Sequence, residues 1–257
     1  MDATPAASLA NRVALVTAAG RGIGRATAKV LAAAGALVVV TDLEQAPAMK
    51  VASDIEAAGG RAEAFPLDVA DEAAVVATVR RIAASHGGID ILVNNAGIGK
   101  RTASEGMSTA DWNRVMEVNL TGSFRCAREA ARSMLQKGRG AIVNVASVMG
   151  LTGGGLYPNP AYHASKAALV NWTRALAVEW AGRGVRVNAV APGYVATAYV
   201  RKIFEAPEHR ARILARQVMG RLVEPEEVAA AVAFLASDAA SAITGITLPV
   251  DGGWSAG

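Results

Sequence analysis

Short, continuously apolar runs alternate along the chain with longer, alanine-rich stretches of helical character. Strands that are apolar throughout and separated by helices are typical of a parallel sheet buried on both faces. With right-handed crossovers, the pattern predicts an α/β fold: a doubly wound, seven-stranded parallel sheet with helices on both faces. The predicted strands are Val13–Thr17, Leu37–Asp42, Ala62–Leu67, Ile89–Asn94, Ala141–Val145, Val185–Ala191 and Ile246–Val250.

One segment, at about residues 193–224, interrupts this alternation before the helix that begins near Pro225. It is long and charged, and it contains Tyr194, Tyr199 and Phe204. Loops after the carboxyl ends of strands form the ligand crevice of such a sheet, so we expect a lid over the substrate. The alternative is a surface excursion without ligand contact. No linker divides the rest, and residues 1–257 are predicted to form a single domain.

Composition narrows the set of partners. Formal net charge is +4, from 26 basic and 22 acidic residues, and the basic residues are dispersed in pairs such as Arg80-Arg81 and Lys100-Arg101. This dispersion argues against nucleic acid as a partner. The longest apolar run, Val30–Val40, is split by Gly35 and is much shorter than the ~20 residues of a membrane span, so we expect no membrane association.

The N-terminus, the cysteine and the histidines bear on cellular location and on metal binding. The stretch MDATPAASLANR contains an acidic residue and no apolar centre, unlike a secretory signal. Cys126 is the single cysteine, so no intrachain disulfide can form, and we expect it to be a small packing residue. The histidines are far apart and no Cys/His spacing suits a metal. These features favour a cytoplasmic protein without a metal site.

A glycine-rich turn follows the first strand. Gly20, Gly22 and Gly24 stand between that strand and a helix that is predicted to run through about Ala34. Glycines at this place let the backbone approach a pyrophosphate, which binds to the amides of the helix N-terminus. Asp42 ends the second strand, where a carboxylate can bind the hydroxyls of an adenosine ribose.

Tyr162 and Lys166 are four residues apart in a run that predicts a helix with Pro160 near its start. This spacing places both side chains on one helical face. A phenol ionises near pH ~10, and a neighbouring cation lowers its pKa. We therefore expect Tyr162 to move a proton on or off an alcohol oxygen. His163 points about 100° away from Tyr162, which assigns it to the surface or to the pocket wall.

In their order along nearly the whole chain, these motifs resemble the short-chain dehydrogenase/reductase family, which implies a Rossmann-type sheet. The family turn Thr-Gly-x-x-x-Gly-x-Gly matches residues 17–24, except that Ala18 replaces the first glycine. We expect this alanine to be tolerated if its backbone keeps to a region open to L-residues. Asn94-Asn95-Ala96-Gly97 and Pro192-Gly193 match two further family motifs.

The resemblance implies a catalytic set that consists of Asn119, Ser147, Tyr162 and Lys166. Tyr162 would exchange the proton, and Lys166 would lower the tyrosine pKa and bind the nicotinamide ribose. Ser147 would hold the substrate oxygen, and Asn119 would carry a water that relays protons. Taken singly, the serine could be an ordinary strand-end hydroxyl and the asparagine a side chain that interrupts a helix.

A nicotinamide dinucleotide is the cofactor that the resemblance implies. Asp68 matches the family contact to the adenine amino group; a cap of the helix before Glu72 is the other interpretation, and the two are compatible. Thr197 matches the contact to the nicotinamide amide. The full set of implied cofactor-binding residues is Thr17, Gly20, Arg21, Gly22, Ile23, Gly24, Asp42, Leu43, Asp68, Val69, Asn95, Ala96, Gly97, Tyr162, Lys166, Pro192, Gly193, Val195 and Thr197.

Two residues influence the choice between NAD and NADP in opposite directions. Asp42 would accept hydrogen bonds from the ribose of NAD and repel the 2′-phosphate of NADP, whereas Arg21 would attract that phosphate. A hydrogen bond to a charged group contributes about 1.5–3 kcal/mol, and an exposed arginine is solvated and screened. We therefore expect NAD as the cofactor, with NADP less favoured.

The sequence thus predicts an NAD-dependent oxidoreductase of a secondary alcohol or ketone, with a small polar alcohol, polyol or sugar as substrate. Residues 149–159, with their three consecutive glycines, are expected to line the pocket beside Ser147. An alternative is a 3-oxoacyl-(acyl-carrier-protein) reductase, for which Lys137, Arg139 and Arg183 would form a basic docking patch. A more distant alternative is a catalytically silent NAD-binding regulator, which the intact catalytic set argues against.

The resemblance also implies a homotetramer, assembled through two long helical stretches and the last strand. These stretches are Ala110–Gln136 and Pro160–Ala181. An exposed apolar helix face usually marks an interface. The apolar residues expected on this face are Phe124, Trp172, Leu176 and Trp180.

Overall fold

Seven parallel strands form one sheet in the order β3-β2-β1-β4-β5-β6-β7 in the computed structural model, which describes residues 8–256. The predicted sheet is confirmed. The N-terminal stretch that was considered as a signal lies largely outside the described residues. The strands are β1 (Val13–Val16), β2 (Leu37–Asp42), β3 (Arg61–Pro66), β4 (Ile91–Asn94), β5 (Gly140–Val145), β6 (Val185–Pro192) and β7 (Thr247–Val250).

Helices cover both faces of the sheet. The α-helices are α1 (Gly22–Ala33), α2 (Gln45–Ala57), α3 (Glu72–His86), α4 (Thr109–Met116), α5 (Gly122–Lys137), α6 (Pro160–Trp180), α7 (Ala198–Phe204), α8 (Pro207–Leu214) and α9 (Pro225–Ala236). One aliphatic core joins the sheet to α1, α2 and α9, and a second joins it to α3, α5 and α6. Each fully buried aliphatic side chain contributes roughly 1.5–3 kcal/mol, so both layers are held mainly by burial. No described helix is long and apolar enough to cross a membrane.

Six strands differ from the predicted bounds by one or two residues at one end or at both, whereas β2 has the predicted bounds. β1 ends at Val16 because Thr17 turns into the next loop, where its hydroxyl accepts hydrogen bonds. β4 begins at Ile91, and the carboxylate of the preceding Asp90 accepts a hydrogen bond from the Val13 amide at 2.9 Å. Hydrophobicity alone does not reveal such contacts.

The strand order reverses between β1 and β4, and this point is where ligands bind in open α/β sheets. The two turns that leave these strands are joined by side chains. The Thr17 hydroxyl accepts from the amides of Asn95 and Ala96, each at 3.0 Å. The Asn95 amide group donates to the carbonyls of Thr17 and Ala18, each at 3.0 Å. Four hydrogen bonds therefore tie the two turns together at the floor of the crevice.

Ala18 adopts a left-handed backbone conformation with φ of +50°. The condition under which this alanine was expected to be tolerated, a backbone region freely open to L-residues, is therefore not met, and the turn presents two carbonyls to Asn95. We expect Ala18→Gly to raise the free energy of unfolding by roughly 0.5–1 kcal/mol in urea titrations. Ala19→Gly is the matched control and should lower stability, since Ala19 is buried and has no positive φ. A destabilised Ala18→Gly protein would contradict this account.

Candidate active site

The glycine-rich turn leaves the N-terminus of α1 open. α1 begins at Gly22, and its N-cap residue Arg21 makes no side-chain capping bond. A Cβ atom on Gly24 would lie 2.4 Å from the Ala18 carbonyl oxygen and 2.5 Å from Nδ2 of Asn95, so only glycine fits. Uncapped amides and the positive end of the helix dipole suit an anion. These residues fit a dinucleotide pyrophosphate.

The carboxylate of Asp42 lies at the side of this turn. It is buried at the end of β2, and its Oδ2 accepts from the Gly20 amide at 2.9 Å. The Arg21 guanidinium lies 3.8 Å from Oδ1 of Asp42 and 3.2 Å from Oε1 of Glu44. Two carboxylates thus hold the arginine that was expected to favour NADP.

Asp68 follows β3 on the same side of the crevice. Its Oδ1 accepts from the Ala70 amide at 2.9 Å. The cap of α3 is Asp71, whose carboxylate accepts from the Ala74 amide at 3.1 Å. The alternative interpretation of Asp68 as the helix cap is therefore wrong.

Ser147, Tyr162 and Lys166 converge on one cavity of about 570 Å³. Ser147 lies two residues after the end of β5, and the other two residues belong to the first turns of α6. Nζ of Lys166 lies 5.7 Å from the centroid of the Tyr162 ring, which confirms that they share a face. The ammonium donates to the carbonyl of Val145 at 2.6 Å.

The acidity of the tyrosine differs from the expectation. Burial raises the pKa of Tyr162, and a hydrogen bond with Ser147 lowers it in part. The Lys166 ammonium donates to the Val145 carbonyl rather than to the phenol. Burial lowers the pKa of Lys166 to about 8. The hydrogen bond with Ser147 therefore favours ionisation of the phenol, against the effect of burial.

This buried lysine predicts a pH dependence of stability. Unfolded lysine titrates near pH ~10.4, whereas folded Lys166 has a pKa of about 8. Between these values the unfolded chain binds the extra proton, so the free energy of unfolding rises with pH. From pH ~7.5 to ~9.5 we expect this group to add about 1–2 kcal/mol in denaturant titrations. Lys166→Met should lack this increment, and equal pH profiles for both proteins would contradict the assignment.

Asn119 lies behind the cavity in a π-helical turn, Glu117–Thr121. Its side-chain amide donates to the Ile98 carbonyl and to Oγ of Ser165, each at 2.9 Å, and its Oδ1 accepts from the Ile98 amide at 2.8 Å. Both side-chain protons are therefore used. The side chain ties the loop after β4 to α6, and the helix is interrupted at this residue.

The structure gathers the predicted site residues at the carboxyl ends of the strands, in two groups. One group lines the cavity: Ile23, Asn95, Gly97, Ser147, Tyr162, Lys166, Pro192, Gly193, Val195 and Thr197. The other group follows β1–β4 outside the cavity, or stands behind it: Thr17, Gly20, Arg21, Gly22, Gly24, Asp42, Leu43, Asp68, Val69, Ala96 and Asn119.

The segment 193–224 contributes one wall of the cavity. It contains α7 and α8, and Tyr199, Val200 and Ile203 of α7 line the cavity. Its buried Ile213 packs in an apolar cluster with Leu156 of the opposite wall. Residues 149–159 supply that wall, as predicted, through Met149, Gly155, Leu156, Tyr157 and Asn159.

His163 also lines the cavity, in agreement with its assignment to the pocket wall. Its Nδ1 lies 2.9 Å from the Asn159 carbonyl oxygen. A carbonyl only accepts, so Nδ1 carries the proton in the neutral ring, and Nε2 is left as an acceptor. Nε2 is buried and has no hydrogen-bond partner within residues 8–256.

Sequence reasoning missed Arg101, which it counted among the dispersed basic residues. Arg101 lines the cavity, and its guanidinium lies over the rings of Tyr157 and Tyr199. Its position in the loop after β4 was a usable signal, because such loops form the ligand crevice.

The basic patch that was considered for a carrier protein lies at the wrong end of the sheet. Lys137 and Arg139 precede the start of β5, whereas Ser147 follows its carboxyl end. Both cations also pair with Asp90, at 3.1 and 3.6 Å. These residues do not provide docking beside the cavity.

A crevice for a dinucleotide and a tyrosine suited to proton transfer thus share one cavity, and this arrangement defines a nicotinamide-dependent oxidoreductase. A protein-family profile described as "Enoyl-(Acyl carrier protein) reductase" matches residues 17–255. Together with the relatives described next, it shows that the chain belongs to the short-chain dehydrogenase/reductase family.

Similar proteins cover the chain almost completely. Cis-4-hydroxycyclohexanecarboxylate dehydrogenase of Sinomonas cyclohexanicum is 48% identical over 97% of this chain and 98% of that protein. The 3-oxoacyl-[acyl-carrier-protein] reductase FabG of Escherichia coli (strain K12) is 43% identical over 94% and 96%. A crystal structure of a putative NAD(P)-dependent gluconate 5-dehydrogenase from Beutenbergia cavernae, with bound NADP at low occupancy, is 45% identical over 98% and 100%, with a TM-score of 0.92.

Proposed function

We propose that this protein oxidises a small polar secondary alcohol to a ketone with NAD as its cofactor. One observation carries the proposal: a single cavity joins Ser147 and Tyr162 to Ile23 and Asn95 of the dinucleotide turns. An acid/base group therefore stands beside the crevice that the cofactor would occupy. Bound NAD would supply the hydride acceptor for the carbinol carbon.

The residues of the site would bind the substrate oxygen, transfer its proton and bind the cofactor. The Ser147 hydroxyl holds the substrate oxygen and stabilises charge that develops there. Tyr162 takes the hydroxyl proton as general base, or returns it to the carbonyl oxygen in the reverse direction. Lys166 binds the nicotinamide ribose, and its charge then stabilises the tyrosinate. Asn119 positions the loop after β4 and α6 rather than holding water with its side chain.

The cavity supports a small polar substrate. Met149, Leu156 and Ile203 give it apolar walls, and His163 and Asn159 give it polar groups. Two of the similar proteins are described as dehydrogenases of a hydroxycyclohexanecarboxylate and of gluconate, which are secondary alcohols. A 3-oxoacyl-(acyl-carrier-protein) reductase remains the second candidate, because of the similarity to FabG. A catalytically silent regulator is disfavoured by the complete catalytic set.

A substrate panel tests the proposal. Purified protein is assayed for NAD reduction with secondary alcohols, polyols and sugar acids, and for NADH and NADPH oxidation with an acetoacetyl thioester. Alcohol oxidation supports the proposal. Strong thioester reduction without alcohol oxidation would favour the reductase, and tight NAD binding without any turnover would favour the regulator.

Several finer features belong to the same proposal. The segment 193–224 acts as a lid, since α7 lines the cavity and Thr197 approaches the Gly22 turn. The protein works in the cytoplasm on a small molecule, without nucleic acid or membrane as a partner. Its one thiol is inert, because burial raises the pKa of Cys126 to about 12.

We propose a homotetramer, with α4, α5 and α6 at one interface. Phe124 is 43% exposed and contacts the ring of the half-buried Trp172, with centroids 6.4 Å apart. Leu176 and Trp180 belong instead to the core, so their expected place on the exposed face is wrong.

Light scattering should give four times the chain mass at micromolar concentration, and a monomer would contradict the proposed tetramer. Phe124→Lys should shift the distribution to smaller species, because it places a charge in the apolar face.

A further inference from the structure

A cation without a carboxylate partner stands at the rim of the cavity. The adjacent Lys100 pairs with Asp111 at 3.4 Å, whereas Arg101 forms no ion pair with the described part of the chain. The residues that line the cavity include no aspartate or glutamate. The guanidinium is therefore available to a ligand.

Two aromatic rings hold Arg101 in place. Its guanidinium carbon lies 4.2 Å from the ring centroid of Tyr157 and 5.0 Å from that of Tyr199. One ring belongs to the wall 149–159 and the other to α7 of the proposed lid. An aromatic ring contacts the flat face of a guanidinium. The N–H groups at the edge of the guanidinium then stay free to donate hydrogen bonds to a planar anion such as a carboxylate. The side chain is thus preorganised.

The charge of Arg101 reaches the inside of the cavity. Burial raises the pKa of Tyr194, and the Arg101 charge opposes that increase. Tyr194 itself lines the cavity. The other lining cation, Lys166, is directed at the Val145 carbonyl, which leaves Arg101 as the cation at the rim.

The loop that carries Arg101 passes beside the reacting tyrosine. A Cβ atom on Gly99, two residues earlier, would lie 3.6 Å from Cδ2 of Tyr162. An alcohol bound at Tyr162 therefore has the Arg101 loop as a neighbour. A substrate with an anionic group several bonds from its hydroxyl can contact both residues.

We propose that Arg101 binds the carboxylate of the substrate and thereby selects secondary alcohols that are hydroxy acids. This inference rests on the proposed alcohol dehydrogenase function. The hydroxyl lies at Ser147 and Tyr162, and the carboxylate, separated by a ring or a short carbon chain, accepts a forked pair of hydrogen bonds from the guanidinium. Neutral alcohols of the same shape lack this contact.

Matched substrates and variants test the inference with NAD. Wild-type protein, Arg101→Met and Arg101→Lys are assayed with cis-4-hydroxycyclohexanecarboxylate, with D-gluconate and with the neutral cis-4-methylcyclohexanol and D-glucitol. Arg210→Met is the control, because Arg210 stacks on Phe204 and does not line the cavity. Circular dichroism checks that each variant is folded.

At least one hydroxy acid should exceed its neutral partner in kcat/KM by roughly tenfold to a hundredfold in the wild type, the scale of a charged hydrogen bond. Arg101→Met should lose most of this preference, chiefly through KM of the acid, and Arg101→Lys should recover part of it. Arg210→Met should retain the wild-type preference for the hydroxy acid. Added salt should raise KM for the acid in the wild type and much less in Arg101→Met.

The outcomes separate the two proposals. Wild-type protein that oxidises neutral alcohols without preferring any acid would overturn the role of Arg101 and leave the proposed function standing. A preference for hydroxy acids that persists in Arg101→Met would also overturn the role of Arg101. Wild-type protein that oxidises none of these alcohols would instead overturn the proposed function.

Discussion

Replacement of Tyr162 by phenylalanine is expected to lower kcat by roughly two to four orders of magnitude, the usual contribution of a positioned acid/base group. The ring keeps its place in α6, so the loss comes from the missing hydroxyl. Steady-state rates of NADH formation measure the effect. Affinity for NADH, followed by its fluorescence, should change little.

Tyr194→Phe is the matched control for this prediction. Its hydroxyl accepts a hydrogen bond from the Leu156 amide at 3.0 Å, on the opposite wall of the same cavity. We expect kcat to fall far less in Tyr194→Phe than in Tyr162→Phe. Near-normal turnover by Tyr162→Phe would remove the tyrosine from the proposed chemistry, and a loss of NADH affinity would indicate a structural effect.

The second large effect is expected at Asp42. Wild-type protein should use NAD at least ~10-fold more efficiently than NADP, since a hydrogen bond to a charged group contributes about 1.5–3 kcal/mol. NADP forfeits this bond and also meets repulsion from the carboxylate. Arg21 compensates little, because Asp42 and Glu44 already hold it. The ratio of kcat/KM for the two cofactors is the measurement.

Asp42→Asn is the variant of choice, because it removes the charge and retains an oxygen for the Gly20 amide. It should narrow or reverse the preference, chiefly by weakening NAD. Glu44→Gln is the control, and the change should be smaller because this carboxylate is exposed to solvent. More efficient use of NADP than of NAD by the wild type would show that the role given to Asp42 is wrong.

The sheet could be predicted from the sequence because its strands are apolar on both faces. Such strands require helices on both sides, and the positions of Gly20 and Asp42 then fix the crevice at β1 and β2. Tyr162 and Lys166 could be predicted to lie close together because side chains four residues apart on a helix are neighbours on one face. These inferences depend only on local periodicity and on the order of elements.

Contacts between distant segments could not be predicted in the same way. The tyrosine pKa depends on where the Lys166 ammonium points, and this direction is set by a carbonyl at the end of β5. The contacts of Arg101 with Tyr157 and Tyr199 join three distant segments, and nothing in the sequence indicates them. Trp180 was expected on an exposed helix face, yet it is buried in a core that α3, α5 and five strands of the sheet also form.

Transfer of deuterium from a labelled alcohol is the most direct test of the central claim. Each secondary alcohol of the panel is prepared with deuterium on its carbinol carbon and is incubated with the protein and NAD. The account predicts that the label appears in the reduced nicotinamide ring by mass spectrometry, together with a ketone product, and that Tyr162→Phe slows its appearance. Reduced cofactor without the label, or a labelled alcohol that stays unchanged across the whole panel, would contradict the account.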